Sequence, residues 1–278
     1  MRQEHLISVI IPTINRPDNL QRAIKTVFNQ IYQNIEIIVV DDSNKENLQL
    51  NKQHIKLFSD PRIKHMICKD KSGPSFAINK GIKEAKGNFI ALLYDTDEWL
   101  TNKLEKQLKV MLDNPNIGLI VCHSLDKRFK KEIISQPKET ITYTDLLKSF
   151  HLSSTSSYFV KKDAIEKIHG FDTELQFEEE YDLAIRLSKY HNIKTVPEVL
   201  VIRNALDERV KRQWNKKVRS VLTIYKKHYK EYKILGTPSM LFNHFKAIGL
   251  LFTFFFAFIF HNKVYKIINP IKKRYEGG

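Results

Sequence analysis

Cys68 and Cys122 are the only two cysteines among 278 residues. Two isolated thiols in apolar contexts exclude a disulfide framework and a zinc site read from cysteine spacing. They fit a reducing compartment such as the cytoplasm. Nine glycines and nine prolines are too few for a low-complexity or collagen-like chain. No internal repeat is present. No signal peptide is expected, because the first residues run directly into a strand pattern. The longest uncharged apolar run, residues 247–260, has 14 residues, short of the roughly 20 that span a bilayer. Acids are scarce at one end: residues 201–278 hold 17 Lys+Arg against 4 Asp+Glu, and residues 1–200 hold 29 against 27. The formal net charge of +15 therefore belongs to the C-terminal segment. Such a segment suits an anionic surface, either membrane or nucleic acid.

What remains is globular: 42% of the residues are apolar and 28% are charged. The first 120 residues alternate β-rich apolar runs with helical stripes. Strands are expected at 7–11, 35–40, 62–67, 89–93 and 117–122. A helix after Pro17, with Asn15 as its N-cap, carries Leu20, Ala23, Ile24, Val27 and Phe28 on one face. A second, capped by Ser75, carries Ala77, Ile78, Gly81, Ile82 and Ala85, and a third lies near 101–112. This alternation implies right-handed crossovers and a mostly parallel sheet, hence an α/β fold. Further on, Ser153-Ser154-Thr155-Ser156-Ser157 reads as a polar loop leading into Tyr158-Phe159-Val160. Glu178-Glu179-Glu180-Tyr181-Asp182 opens a helix, and Val210–Tyr232 reads as a long basic helix or helix pair.

Three of the apolar runs stop at polar residues: Ile11-Pro12-Thr13, Val40-Asp41-Asp42-Ser43 and Leu93-Tyr94-Asp95-Thr96-Asp97. In an open parallel sheet, ligands bind just beyond the carboxyl ends of the strands. Carboxylates gathered there suit a divalent cation and a phosphorylated ligand. Read alone, Asp41-Asp42 is equally a strand-end turn, Asp95 and Asp97 are equally helix-capping acids, and Glu179 and Glu180 are equally dipole-favoured acids of a first helical turn.

The order of these pieces resembles the family 2 glycosyltransferases of GT-A fold. The likeness spans about residues 7–205. It is carried by Ser8-Val9-Ile10-Ile11-Pro12-Thr13 with Asn15-Arg16-Pro17, by Glu36-Ile37-Ile38-Val39-Val40-Asp41-Asp42-Ser43, and by Asn79-Lys80-Gly81-Ile82. Gly87-Asn88-Phe89-Ile90-Ala91, Asp97-Glu98-Trp99-Leu100, Gly170-Phe171-Asp172 and Glu179-Glu180-Tyr181-Asp182-Leu183 complete it. The resemblance implies transfer of a sugar, with inversion, from a nucleotide donor that is usually a UDP-sugar. It implies that Asp42, with Asp41 beside it, meets the nucleobase, and that Pro12, Thr13, Asn15, Asn79 and Asp95 line the donor. Asp95 and Asp97 would hold Mn2+ or Mg2+. Glu180, or its alternates Glu179 and Asp182, would be the general base.

The likeness further implies a mostly parallel, Rossmann-like sheet flanked by helices; the charge and the Phe-rich run after residue 205 add a basic and hydrophobic helical extension. The expected segments are 1–122, the nucleotide-sugar-binding half; 123–205, the acceptor-side half with the base; and 206–278, a membrane-associating tail. The expected partners are a nucleotide-sugar donor, a lipid-linked saccharide acceptor of surface-polysaccharide synthesis, an anionic membrane surface, and a homo-oligomer or partner transferase; no nucleic acid is expected. The expected place is the cytoplasmic face of the cell membrane. The chain also departs from a common family pattern, Asp-Ser-Asp-Asp-Glu-Trp, which aligns without gaps on Tyr94-Asp95-Thr96-Asp97-Glu98-Trp99. The usual metal acid falls on Thr96. Ile14 and Ile78 stand where an aromatic and an Arg are common, and Glu180 replaces an Asp. The alternative these departures raise is a catalytically decayed subunit that binds a partner transferase.

Overall fold

The structure, a computed structural model, describes residues 5–68, 73–127, 132–148, 152–204 and 214–234. The run 247–260 and most of the basic tail lie outside the described residues. The chain divides into two compact units, Met1–Leu146 with His151–Lys227, and Leu147–Phe150 with His228–Gly278.

In the first unit the elements follow in the order β1 (Ile7–Thr13), α1 (Pro17–Phe28), β2 (Ile35–Asp41), α2 (Lys45–Phe58), β3 (Ile63–Ile67), α3 (Gly73–Glu84), β4 (Phe89–Leu92), β5 (Asp97–Trp99), α4 (Lys103–Asp113) and β6 (Ile117–Asp126). Next come β7 (Ile133–Ser135), β8 (Thr140–Ile141), α5 (Tyr143–Lys148, whose residues 147 and 148 belong to the second unit), a 3-10 turn at Thr155–Ser157, β9 (Phe159–Lys161), α6 (Lys162–Lys167), α7 (Glu179–Ser188), β10 (Asn192–Arg203) and α8 (Trp214–Lys227). In the second unit, α9 spans Tyr229–Ile234.

One sheet runs β3-β2-β1-β4-β9-β6-β10-β5, with β7 beside β6 and β8 beside β10. The first four strands are parallel, as the strand-helix alternation predicts, and β6 and β10 are parallel too. β9 is antiparallel to both β4 and β6, and β5 is antiparallel to β10. β9 enters the sheet from the 3-10 turn rather than from a crossover helix. The sheet passes residue 122 without a break, since β6 continues to Asp126.

The apolar stripe of α1 is buried as predicted: Leu20, Ala23, Ile24 and Val27 join Ile7, Val9, Ile11, Ile37 and Val39 in the main core. Side chains alternate along a strand, yet every residue of β1 is buried, because a central parallel strand has covered faces on both sides. Asn15 is not the helix cap. Arg16 holds that position without a capping side-chain bond, and Asn15 adopts a left-handed backbone (φ 54°), which Asn tolerates. Ser75 also falls inside its helix, which starts at Gly73. The unpredicted helix α2 starts at Asn44, whose side chain accepts a hydrogen bond from Asn47 N–H, and Asn51 is its only buried residue. A helix that buries so little leaves no apolar stripe to read.

Candidate functional site

Three loops at the carboxyl ends of β1, β2 and β4 converge. Asp42 N–H donates to Thr13 C=O at 2.9 Å. Asn15 N–H donates to Ser43 Oγ, and Asn44 N–H returns a bond to Asn15 Oδ1, each at 2.8 Å. Asn15 thus staples the first loop to the second. Pro12 is buried within β1. It has no N–H to offer and shapes the strand end.

Asp41 faces inward. Its Oδ2 accepts from Asn51 Nδ2 at 2.8 Å and contacts His65 Nε2 at 2.9 Å, and its Oδ1 accepts from Ser43 N–H at 3.0 Å. Burial pushes this carboxyl up, but the bonds from His65, Ser43 and Asn51 together hold it below its ordinary value. Its acceptor capacity serves the protein rather than a ligand. Asp42, one residue past the end of β2, is also buried, at 7% exposed.

The third loop is the most constrained. Asp95, 1% exposed, accepts from Thr13 Oγ1 at 2.8 Å and from Arg16 Nη1 at 3.0 Å. Burial still raises the Asp95 carboxyl above its ordinary value against the pull of Arg16 and Thr13. Thr96 C=O accepts from Arg22 Nη2 and from Asn204 Nδ2, at 3.2 and 3.1 Å. Asp97 Oδ2 accepts from Ser156 Oγ at 2.6 Å, and its Oδ1 takes a longer bond of 3.3 Å from the Thr96 hydroxyl. Ser156 also accepts from Tyr94 N–H at 3.0 Å, and its carbonyl accepts from Trp99 Nε1 at 2.8 Å. The serine-rich stretch read as a polar loop is a buried clamp, with Ser156 and Ser157 fully enclosed. Five successive hydroxyl residues between two strand patterns were the available signal.

The first turn of α7 brings the remaining acids. Glu179 is 6% exposed and accepts from the Tyr94 phenol at 3.2 Å, whereas Glu180 is half-buried. Both carboxyls are raised, Glu179 by burial and the Glu178 charge, Glu180 by burial and the charges of Glu179 and Glu178. Arg203, at the end of β10, opposes the rise at Glu180 and pairs with Asp126 at 3.2 Å. Asp182 is held apart. It is fully buried and bound to Arg186 at 2.7 Å and to Lys227 at 2.9 Å, an ion-pair role that leaves no room for base chemistry.

Asn79, expected along the donor, is also engaged elsewhere. Its amide donates to Phe171 C=O and accepts from Phe171 N–H, both at 2.8 Å. Gly170 makes that clamp possible: its φ is +66°, and a Cβ there would lie 2.3 Å from Asn79 Oδ1. Arg16, Ser156 and Arg203 are site residues to which the sequence assigned no role.

The resemblance implies a divalent cation, which the residues present fit only in part. Asp95 has both oxygens committed to Thr13 and Arg16. Asp97 is engaged in the same way, its Oδ2 by Ser156 and its Oδ1 by the Thr96 hydroxyl. Among the described residues no group of three His, Cys, Asp or Glu side chains is placed to hold a metal ion. One carboxylate plus substrate phosphates is nonetheless an ordinary ligand set for Mg2+.

Comparison with known proteins identifies this arrangement. The sequence profile of glycosyl transferase family 2 matches residues 8–168. The chain belongs to this family. One relative is the Escherichia coli UDP-Glc:alpha-D-GlcNAc-diphosphoundecaprenol beta-1,3-glucosyltransferase WfgD, 29% identical over 199 residues, which cover 69% of this chain and 74% of WfgD. Another is the putative colanic acid biosynthesis glycosyl transferase WcaA of E. coli K12, 32% identical over 201 residues, covering 67% of each chain. Among solved structures, Staphylococcus aureus TarS 1–349 superposes with a TM-score of 0.60 at 18% identity, over 71% of this chain and 60% of that one. The mannosyltransferase PcManGT of Pyrobaculum calidifontis, solved with GDP-Man and Mn2+, gives 0.64 at 16% identity, over 82% and 65%. At such identities the superpositions establish the GT-A fold, and this glycosyltransferase chain spans about three-fifths of those structures.

The Asp41 network generates a stability prediction. Asp41→Ala leaves Asn51 and His65 facing a buried vacancy, so urea unfolding is expected to show a loss of about 1–3 kcal/mol. An unchanged unfolding midpoint would show that the network contributes nothing.

Proposed function

We propose that this family 2 enzyme moves a hexosyl or N-acetylhexosaminyl group from a UDP-sugar, with inversion, to a lipid-linked saccharide in surface-polysaccharide synthesis. The observation that carries the reading is the step from Asp95 to Tyr94. Asp95 is bound to the β1 loop, and its chain neighbour Tyr94 is bound to the first turn of α7. Strand-end acids and candidate bases therefore form one site. The name of WfgD, a glucosyltransferase using UDP-Glc and a diphosphoundecaprenol-linked acceptor, supports the donor and acceptor classes, and the TarS structure with UDP is consistent with the donor class.

In this reading Asp42 receives the nucleobase, and the Thr13–Asn15 loop with Asp95 lines the donor. Asp95 and Asp97 would hold Mn2+ or Mg2+ beside the donor phosphates by exchanging present hydrogen bonds for the cation, which would supply neutralisation of charge on the departing diphosphate. Glu180 takes the proton from the acceptor hydroxyl, which is a weak nucleophile without a positioned base. Arg203 favours the charged form of that base.

Two substitutions separate donor binding from chemistry. Asp42→Ala is expected to weaken UDP binding roughly tenfold, or about 1.4 kcal/mol, read as lost thermal stabilisation by UDP. Undiminished stabilisation would remove Asp42 from the nucleobase site.

Glu180→Gln is expected to lower turnover roughly 10²–10⁴-fold while UDP still binds. The raised Glu180 carboxyl sets the sign of the pH dependence. The base works only when ionised, so wild-type kcat should climb with pH through a value above the ordinary Glu range of about 4.3. A panel of UDP-sugars with a sugar-diphosphate-lipid acceptor measures both. A near-wild-type rate in Glu180→Gln, with loss in Glu179→Gln, would move the base by one residue.

For the tail we propose peripheral attachment to the inner membrane surface. Among the described residues no helix is long and apolar enough to cross a membrane. The sequence of 206–278 combines a basic excess with the Phe-rich run 247–260, the composition of an interfacial anchor. Basic residues near anionic lipid contribute about 1 kcal/mol each and are screened by salt, unlike apolar insertion. High salt is therefore expected to release the full chain from anionic liposomes only in part, and deletion of 240–278 to release it more completely. Equal failure of both proteins to float at low salt would refute the anchor.

A further inference from the structure

The two adjacent glutamates of α7 are held differently, and Tyr94 accounts for the difference. Helix α7 starts poorly. Its N-cap, Glu178, sits in the left-handed region at φ 58° and makes no capping side-chain bond. Such a backbone costs on the order of 1–3 kcal/mol in a residue other than Gly, so other contacts must fix this turn. Two phenols bind it. Tyr94 O–H donates to Glu179 Oε1, and Tyr158 O–H donates to Glu180 C=O, each at 3.2 Å. Tyr158 is fully buried on the strand side. Tyr94 is itself braced at both ends. Its N–H donates to Ser156 and its phenol to Glu179.

Successive residues on a helix project about 100° apart. With Glu179 anchored inward, Glu180 must turn to another side, where it is half-buried rather than enclosed. The charges around this pair come from several elements: Glu178 on the same turn, Tyr94 from the loop after β4, Tyr158 before β9 and Arg203 on β10. Burial and the charges of Glu179 and Glu180 hold the Tyr94 phenol well above its ordinary value, so it remains a donor. The common family pattern carries an Asp at this position. A carboxylate there would face Glu179 with like charge and could not donate when ionised.

We propose that Tyr94 is a positioning residue for sugar transfer: its phenol anchors Glu179, and this anchor presents Glu180 to the acceptor hydroxyl. The inference rests on Glu180 being the base. It makes Glu179 a fixed support rather than a second base, and it gives the departure at residue 94 a function.

The test is a double-mutant cycle of Tyr94→Phe and Glu179→Met, which keeps the side-chain length but removes the acceptor, with Glu180→Gln alongside. Tyr94→Phe keeps the ring and removes only the hydroxyl. Turnover is read as UDP release from UDP-glucose with a GlcNAc-diphosphate-lipid acceptor, and urea unfolding of the same proteins gives a second cycle that needs no substrate. Tyr94→Phe is expected to lower kcat about tenfold with KM for UDP-glucose within about twofold. The double variant should be no slower than the slower single one, and the unfolding cycle should show the same non-additivity. Additive effects in the unfolding cycle, or a Tyr94→Phe protein that loses UDP-glucose affinity at full kcat, would overturn the role of Tyr94. Full turnover in Glu180→Gln would instead overturn the base assignment on which the role rests, and the unfolding cycle would still report the Tyr94–Glu179 bond separately.

Discussion

Ser156, fully buried, accepts a hydrogen bond from Tyr94 N–H and donates one to Asp97, while its carbonyl receives the Trp99 indole. Tyr94 of the loop after β4 and Asp97 and Trp99 of β5 are thereby fixed to a turn that lies 57 to 62 positions further along the chain. The constraint is strong because each of these polar groups is buried, and a buried donor or acceptor left unmade costs about 1–3 kcal/mol. Everything placed on that loop inherits the constraint. Asp95 is bound to Thr13 of the β1 loop, Tyr94 to Glu179 of α7 and Asp97 to Ser156. A site that must hold a leaving group and a base in one geometry gains from such rigidity, since misplacement of about 1 Å is costly to rate.

The same loops show how the protein tolerates so many buried acids. Asp95, Asp41, Asp182 and Asp126 each have a cationic or hydrogen-bonding partner from another part of the chain: Arg16, His65, Lys227 and Arg203. A buried charge without a partner costs several kcal/mol, and these partners are what allows the four acids to stay buried. Glu179 and Glu180 differ. Their carboxyls rise because burial and mutual repulsion outweigh the compensation. The Asp95 carboxyl is raised by burial as well, but against the pull of Arg16 and Thr13, whereas the glutamate pair adds like-charge repulsion to its burial.

Much of this was legible in the sequence, and the gaps have physical causes. Strands β1, β2 and β4 announce themselves as continuous apolar runs because both faces of a central parallel strand are covered. The stripe of α1 reads directly as period 3.6. Helix α2 was missed because only Asn51 is buried on it, and β5 because three residues set no period. Asp41, Asn79 and Asp182 look like site residues in a motif, yet their partners are long-range. His65 is 24 residues from Asp41, Phe171 is 92 from Asn79, and Lys227 is 45 from Asp182. Local sequence cannot report which of two neighbouring acids has been claimed by a distant side chain. It could report that acids gather where strands end, and the structure brings those from β2, the loop after β4 and the start of α7 to one end of the sheet.

The departures from the common family pattern can be sorted by what surrounds them. At Thr96 the backbone carbonyl is held by Arg22 and Asn204, and the hydroxyl points its proton at Asp97. The side chain therefore supports the neighbouring acid instead of replacing a missing one. At residue 94 the phenol reaches Glu179, which a shorter Asp side chain has less reach to do. Ile14 is more than one-third exposed at the mouth of the first loop, and no packing requirement fixes its identity. A chain losing its activity would be expected to accumulate unsupported polar groups in the site. Here the altered positions at 94 and 96 are among its best-connected residues, which is the pattern of a site reorganised around different contacts.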